Sequence, residues 1–160
     1  MFDSDYQFKG KHATYVKFLS KDQNGTANVF ERMIDVYMLA PIIGKLYGRT
    51  ALIDRESTDT ARIFTQQMIR EQYKLKYIYR LIMLCHEEEG LTEDMKVKMA
   101  FKDDANKDDL AKNMDIFHSY MLGGVEVLYE KFSEDNTTRD DYLYQIYKLI
   151  EGFKQEVEKV

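Results

Sequence analysis

A chain of 160 residues with 44% hydrophobic side chains is long enough to bury one sizeable core and suits a single helical domain over residues 1–160. Its 28 acidic against 23 basic side chains give a net charge of −5, which excludes a general attraction to nucleic acid or to an anionic membrane. Cys85 is the one cysteine, so an intramolecular disulfide is excluded and a reducing, cytoplasmic setting is expected; no segment reaches the roughly 18 uncharged apolar residues that a membrane span needs. The charge is unevenly divided. Residues 1–80 carry 13 basic and 9 acidic side chains, residues 81–160 carry 10 and 19.

One proline, eight glycines and no strand-like alternation predict an all-α bundle of five to seven helices. The first helix is expected over about Lys11 to Lys21, closed by the turn-forming Asp22-Gln23-Asn24-Gly25. A second is expected over about Ala27 to Leu39, with Pro41 opening a short helix over 42–47 that Gly48 closes. The stretch from Ser57 to Gly90 reads as one long central helix over about 59–89, with Ser57, Thr58 or Asp59 as its cap.

Thr92 then caps a short helix ending near Phe101, and an acidic linker covers 102–109. A fifth helix over about 108–132 and a sixth over about 138–157 complete the chain. Thr138 and Asp141 are spaced like a capping box with its glutamate shortened.

Within HSYMLGGVEVLYEKF, residues 118–132, helical spacing puts Gly123 and Gly124 on a widened apolar face with Phe117, Tyr120, Met121 and Leu128. A glycine inside a helix costs about 1 kcal/mol relative to alanine, so a pair calls for a compensating gain. Close packing against the long 59–89 helix is the expected one.

Several chemistries fail on spacing. Gly10-Lys11 and Gly44-Lys45 are followed by His12 and Leu46, where a phosphate-binding loop needs Ser or Thr. Asp104, Asn106 and Asp108 match the first ligand positions of a calcium loop, but Asp109 stands where glycine is required and Asp115 where a bidentate glutamate is. Only Asp115-x-x-His118 approximates the paired Glu-x-x-His of di-iron bundles. Cys85 falls toward the apolar side of its helix, so a buried, unreactive thiol is expected.

The most informative surface lies on the 59–89 segment. A helical wheel sets Phe64, Met68, Leu75 and Tyr79 toward the core. Arg62, Gln66, Arg70, Tyr73, Tyr77 and Arg80 fall opposite, with Lys74 and Lys76 beside them. Cations there can neutralise phosphates or acidic side chains while tyrosines stack on bases or pack on a partner.

The leading expectation is therefore a non-enzymatic interaction or scaffolding subunit of an intracellular complex, without cofactor, binding a protein partner or a second copy of itself. The alternative is an accessory nucleic-acid-binding protein using Arg62, Gln66, Arg70, Tyr73, Lys74, Tyr77 and Arg80, with weak affinity given the net charge. A third reading, a metal-binding helical-bundle enzyme, rests on His86, His118 and their neighbouring carboxylates. No membrane association is expected.

Overall fold

The structure, a computed structural model, describes residues 1–20, 29–101, 107–133 and 139–157. Seven helices and one two-stranded sheet make up these residues. The fold is all-α in its bulk, and the sheet is the exception to the sequence expectation. Strand β1, Tyr6–Lys9, pairs antiparallel with β2, Thr60–Ile63, so that Phe8 lies opposite Ala61. Phe8, Ala61 and Ile63 turn inward while Gln7 and Arg62 turn out.

Gly10 joins β1 to helix α1, Lys11–Leu19. It takes φ +60°, a conformation other residues rarely adopt, and a Cβ there would sit 2.7 Å from the Asp54 Cβ. Helix α2 spans Met33–Leu46 with Pro41 inside it. This corrects the expected division at Pro41 and the expected start at residue 27. A proline there forfeits one ladder hydrogen bond, at a cost of about 3 kcal/mol. Complete burial of Ile34, Val36, Tyr37 and Ala40 along the same helix offsets it.

The expected helix over 59–89 is divided into β2, α3 (Thr65–Arg70) and α4 (Gln72–Cys85). Three local causes are visible. Residues 60–63 pair with β1. Asp5 Oδ1 accepts hydrogen bonds from the backbone N–H and the hydroxyl of Thr65, both at 2.6 Å, and so starts α3. Glu71 leaves helical geometry between the two helices, its carboxylate held by Arg32 at 3.0 Å and Lys74 at 2.8 Å. At the far end His86 is extended, so Glu87 to Glu89 lie beyond the helix rather than closing it.

Helix α5 covers Glu93–Phe101, α6 covers Lys107–Ser133 and α7 covers Arg139–Val157. At 27 residues α6 is the long central helix. It carries Phe117, Met121, Val125 and Leu128, all fully buried, into a core shared with α1, α2 and α4. The turn at 22–25, the first positions of the calcium-like loop at 104–106 and the cap at Thr138 lie outside the described residues.

The glycine pair meets α2 and the chain that follows it, not the 59–89 segment. A Cβ on Gly124 would overlap the carbonyl oxygen of Ala40 and lie 2.9 Å from the Gly44 nitrogen. A Cβ on Gly123 would lie 2.8 Å from the Thr50 Cα. Gly44 answers from the other side, where a Cβ would be 2.8 Å from the Tyr120 carbonyl carbon. The two backbones cross without intervening side chains, gaining dispersion contacts along the crossing. Among the described residues no helix is long and apolar enough to cross a membrane.

Candidate interaction surface

The residues of the basic, tyrosine-bearing set occupy three elements instead of one helix face. Arg62 stands on β2, Gln66 and Arg70 on α3, and Tyr73, Lys74, Tyr77 and Arg80 on α4. All are exposed except the half-buried Arg80. Three of the cations are engaged: Arg62 pairs with Asp5 and lies 5.4 Å from the Phe64 ring centroid, Lys74 pairs with Glu71, and Arg80 lies 5.0 Å from the Phe101 centroid. Arg70 has no ion-pair partner among the described residues.

On α4 the one-turn spacing of Tyr73 and Tyr77 aligns them, and Arg80 and Leu81 extend the row. Tyr73 is 89% and Tyr77 69% exposed, and neither ring meets another ring or cation among the described residues. Phe64, expected in the core, is exposed at the N-cap position of α3, between the strand and the helix; Ile69, within α3, is exposed as well. The result is a strip of exposed apolar and aromatic side chains on α3 and α4, with Arg70 and Lys74 beside it and Arg80 within the tyrosine row. Aromatics and arginines of this kind fill the centres of protein interfaces. Cys85, at the end of α4, is also exposed, contrary to the expected burial, because the helix stops there and leaves the thiol at its open end.

Two polar centres lie within the bundle, and sequence reasoning missed the first. Glu126 of α6 is only 8% exposed and accepts from Lys11 Nζ at 2.9 Å, His12 Nε2 at 3.1 Å and Arg49 Nη2 at 3.1 Å. Burial alone would raise its carboxyl; the Lys11 and His12 contacts outweigh that and hold it below the usual range. His12 is fully buried, and burial lowers its pKa. A lone glutamate within the apolar run Gly123-Gly124-Val125-Glu126-Val127-Leu128 was the available signal. The centre ties α1 and the segment after α2 to α6, beside a surface cleft lined by Lys11, Asp54, Glu56 and Glu126.

At the second centre the Tyr37 hydroxyl lies 2.9 Å from His118 Nε2, and the Tyr6 ring lies 4.7 Å from the imidazole. Burial lowers His118 to about 4, with Asp115 opposing weakly, so the ring is neutral at pH 7. His86 lies elsewhere, its Nδ1 3.1 Å from the Tyr120 hydroxyl. Among the described residues no group of three or more His, Cys, Asp or Glu side chains is placed to hold a metal ion.

Comparison with curated proteins and with solved structures gives no match. A family model described as DNA sulphur modification system-associated protein 4 matches residues 8–159, a span that begins within β1 and takes in β2 and all seven described helices. With nearly its whole length matched, the chain belongs to the DNA sulphur modification system-associated protein 4 family.

Proposed function

We propose that the protein is a non-enzymatic contact subunit of a DNA sulphur-modification system, engaging a protein partner through the α3–α4 strip. The observation that carries this reading is the exposure of Tyr73 and Tyr77, one turn apart, between Arg70, Lys74 and Arg80. Two such tyrosines left in water forgo burial that each ring favours, and a partner surface supplies it. The basic margin selects an acidic rim on that partner. Family membership supports a place beside the other components of such a system.

Nucleic-acid binding through the same strip is the second reading, favoured by the alternation of flat rings and cations. The net charge of −5 and the engagement of Arg62 and Lys74 by Asp5 and Glu71 weigh against it. Affinity capture from the native host, with and without nuclease, followed by mass spectrometry, separates the two. Components of the modification system retained through nuclease treatment, and lost with Tyr73→Ala/Tyr77→Ala, are the expected result. Retention unaffected by the double substitution overturns the role of the strip, and capture abolished by nuclease transfers it to nucleic acid.

A further inference from the structure

Helix α7 is amphipathic on two sides. Its inner side sets Tyr142, Ile146 and Leu149 against the core, with the Tyr142 ring 6.4 Å from that of Phe132. Its outer side repeats at alternating three- and four-residue steps: Asp140, Leu143, Tyr147, Ile150 and Lys154. That spacing forms a single seam along a helix, the pattern by which two helices pair. Leu143, Tyr147 and Ile150 are 53%, 57% and 59% exposed. Tyr144 flanks the seam, its ring held under the Lys148 ammonium at 4.5 Å.

We propose that this seam binds the same seam of a second copy, the two α7 helices running antiparallel about a two-fold axis near Tyr147. The argument for a second copy is the order of charges. The seam begins on the exposed Asp140 and ends on the exposed Lys154, about 21 Å away at 1.5 Å per residue. Turning a second helix end for end lays the acidic end of each against the basic end of the other, at both ends at once. The apolar positions between them stack on one another. A parallel pairing sets like charges together at both ends and is disfavoured. A two-fold interface needs a self-complementary patch of this kind. The surface is separate from the α3–α4 strip, so the dimer leaves that strip open and does not depend on its role. A helix pair of this length is a small interface, which sets the association in the range where monomer and dimer exchange.

The test is sedimentation equilibrium of the full chain over a wide concentration range, with circular dichroism to verify folding. The wild type is expected to show concentration-dependent dimer. Tyr147→Glu is expected to remain monomeric throughout. Asp140→Lys alone and Lys154→Asp alone each set like charges at both ends, and each is expected to weaken the dimer about tenfold. An equimolar mixture of these two chains restores opposite charges at both ends, and a heterodimer of near wild-type affinity is expected. A wild type that is monomeric at every concentration overturns the proposal. A dimer that survives Tyr147→Glu overturns the seam, and a mixture no tighter than its components overturns the antiparallel arrangement.

Discussion

Gly124 lies so close to the Ala40 carbonyl that a Cβ on the glycine would sit 2.6 Å from the carbonyl carbon. The obstacle is backbone in the middle of a buried helix, which has no rotamer to change. Gly124→Ala is therefore expected to destabilise the fold by about 2 kcal/mol or more, despite alanine's better helix propensity. Gly152→Ala on α7 is the contrast: a Cβ there meets nothing within 4 Å, and a gain of about 0.5–1 kcal/mol is expected. Urea denaturation of both variants checks the pair, and equal effects would remove the α2–α6 crossing as the reason for the glycine.

The histidine at 118 makes stability depend on pH. Its folded pKa of about 4 lies below the unfolded value near 6.5, so the unfolded chain takes up the proton first as pH falls. The contribution is fully present above pH 6.5 or so and is lost as pH falls through the window down to about 4. At pH 5 about 2 kcal/mol of it is gone. Urea midpoints at pH 7 and pH 5 should differ accordingly, and His118→Gln should narrow the difference. An imidazole signal that titrates near 6.5 in the folded protein would contradict the burial argument.

The exposed strip should be silent in stability measurements. Tyr73→Ala and Tyr77→Ala are expected to change the unfolding free energy by no more than about 0.5 kcal/mol each. Tyr79 on the inner side of α4 is 2% exposed and its hydroxyl donates to the Met99 carbonyl at 3.1 Å. Tyr79→Ala is expected to cost about 3–5 kcal/mol. Thermal unfolding of the three variants tests the assignment of faces on this helix.

Cys85 is expected to react with one equivalent of a maleimide in the native protein without denaturant, because its thiol is exposed at the end of α4. Mass spectrometry of the labelled chain measures this directly. Modification only after unfolding would put the thiol back in the core.

Composition and spacing made the helical class legible, and the boundaries of the 107–133 and 139–157 helices agree with the periodicity to within a residue. The 59–89 region was not legible, for a physical reason. Thr60 to Ile63 alternate over only four residues, and what makes them a strand is the pairing with Tyr6 to Lys9, more than 50 positions away. No glycine or proline marks the break at Glu71; the break is fixed by Arg32 and Lys74 gathering its carboxylate. Pro41 misled in the opposite direction, since burial on both sides of it carries α2 through a residue that ordinarily ends a helix. Of the candidate surface, residue types and the α4 register were readable. The exposure of Phe64 and Cys85 was not, because it follows from where helices begin and end.

The contact between His12 and Glu126 joins residues 114 positions apart. During synthesis α1 emerges long before the helix that receives it, and the ribosome must add more than 100 residues before that partner exists. The side of α1 that packs on α6 must therefore wait uncovered, or held by another molecule, until α6 has left the exit tunnel. Contacts of such long range slow folding and prolong the exposure of apolar surface. Folding of this chain is thus tied to completion of α6, and nascent chains halted before residue 126 should remain open to protease.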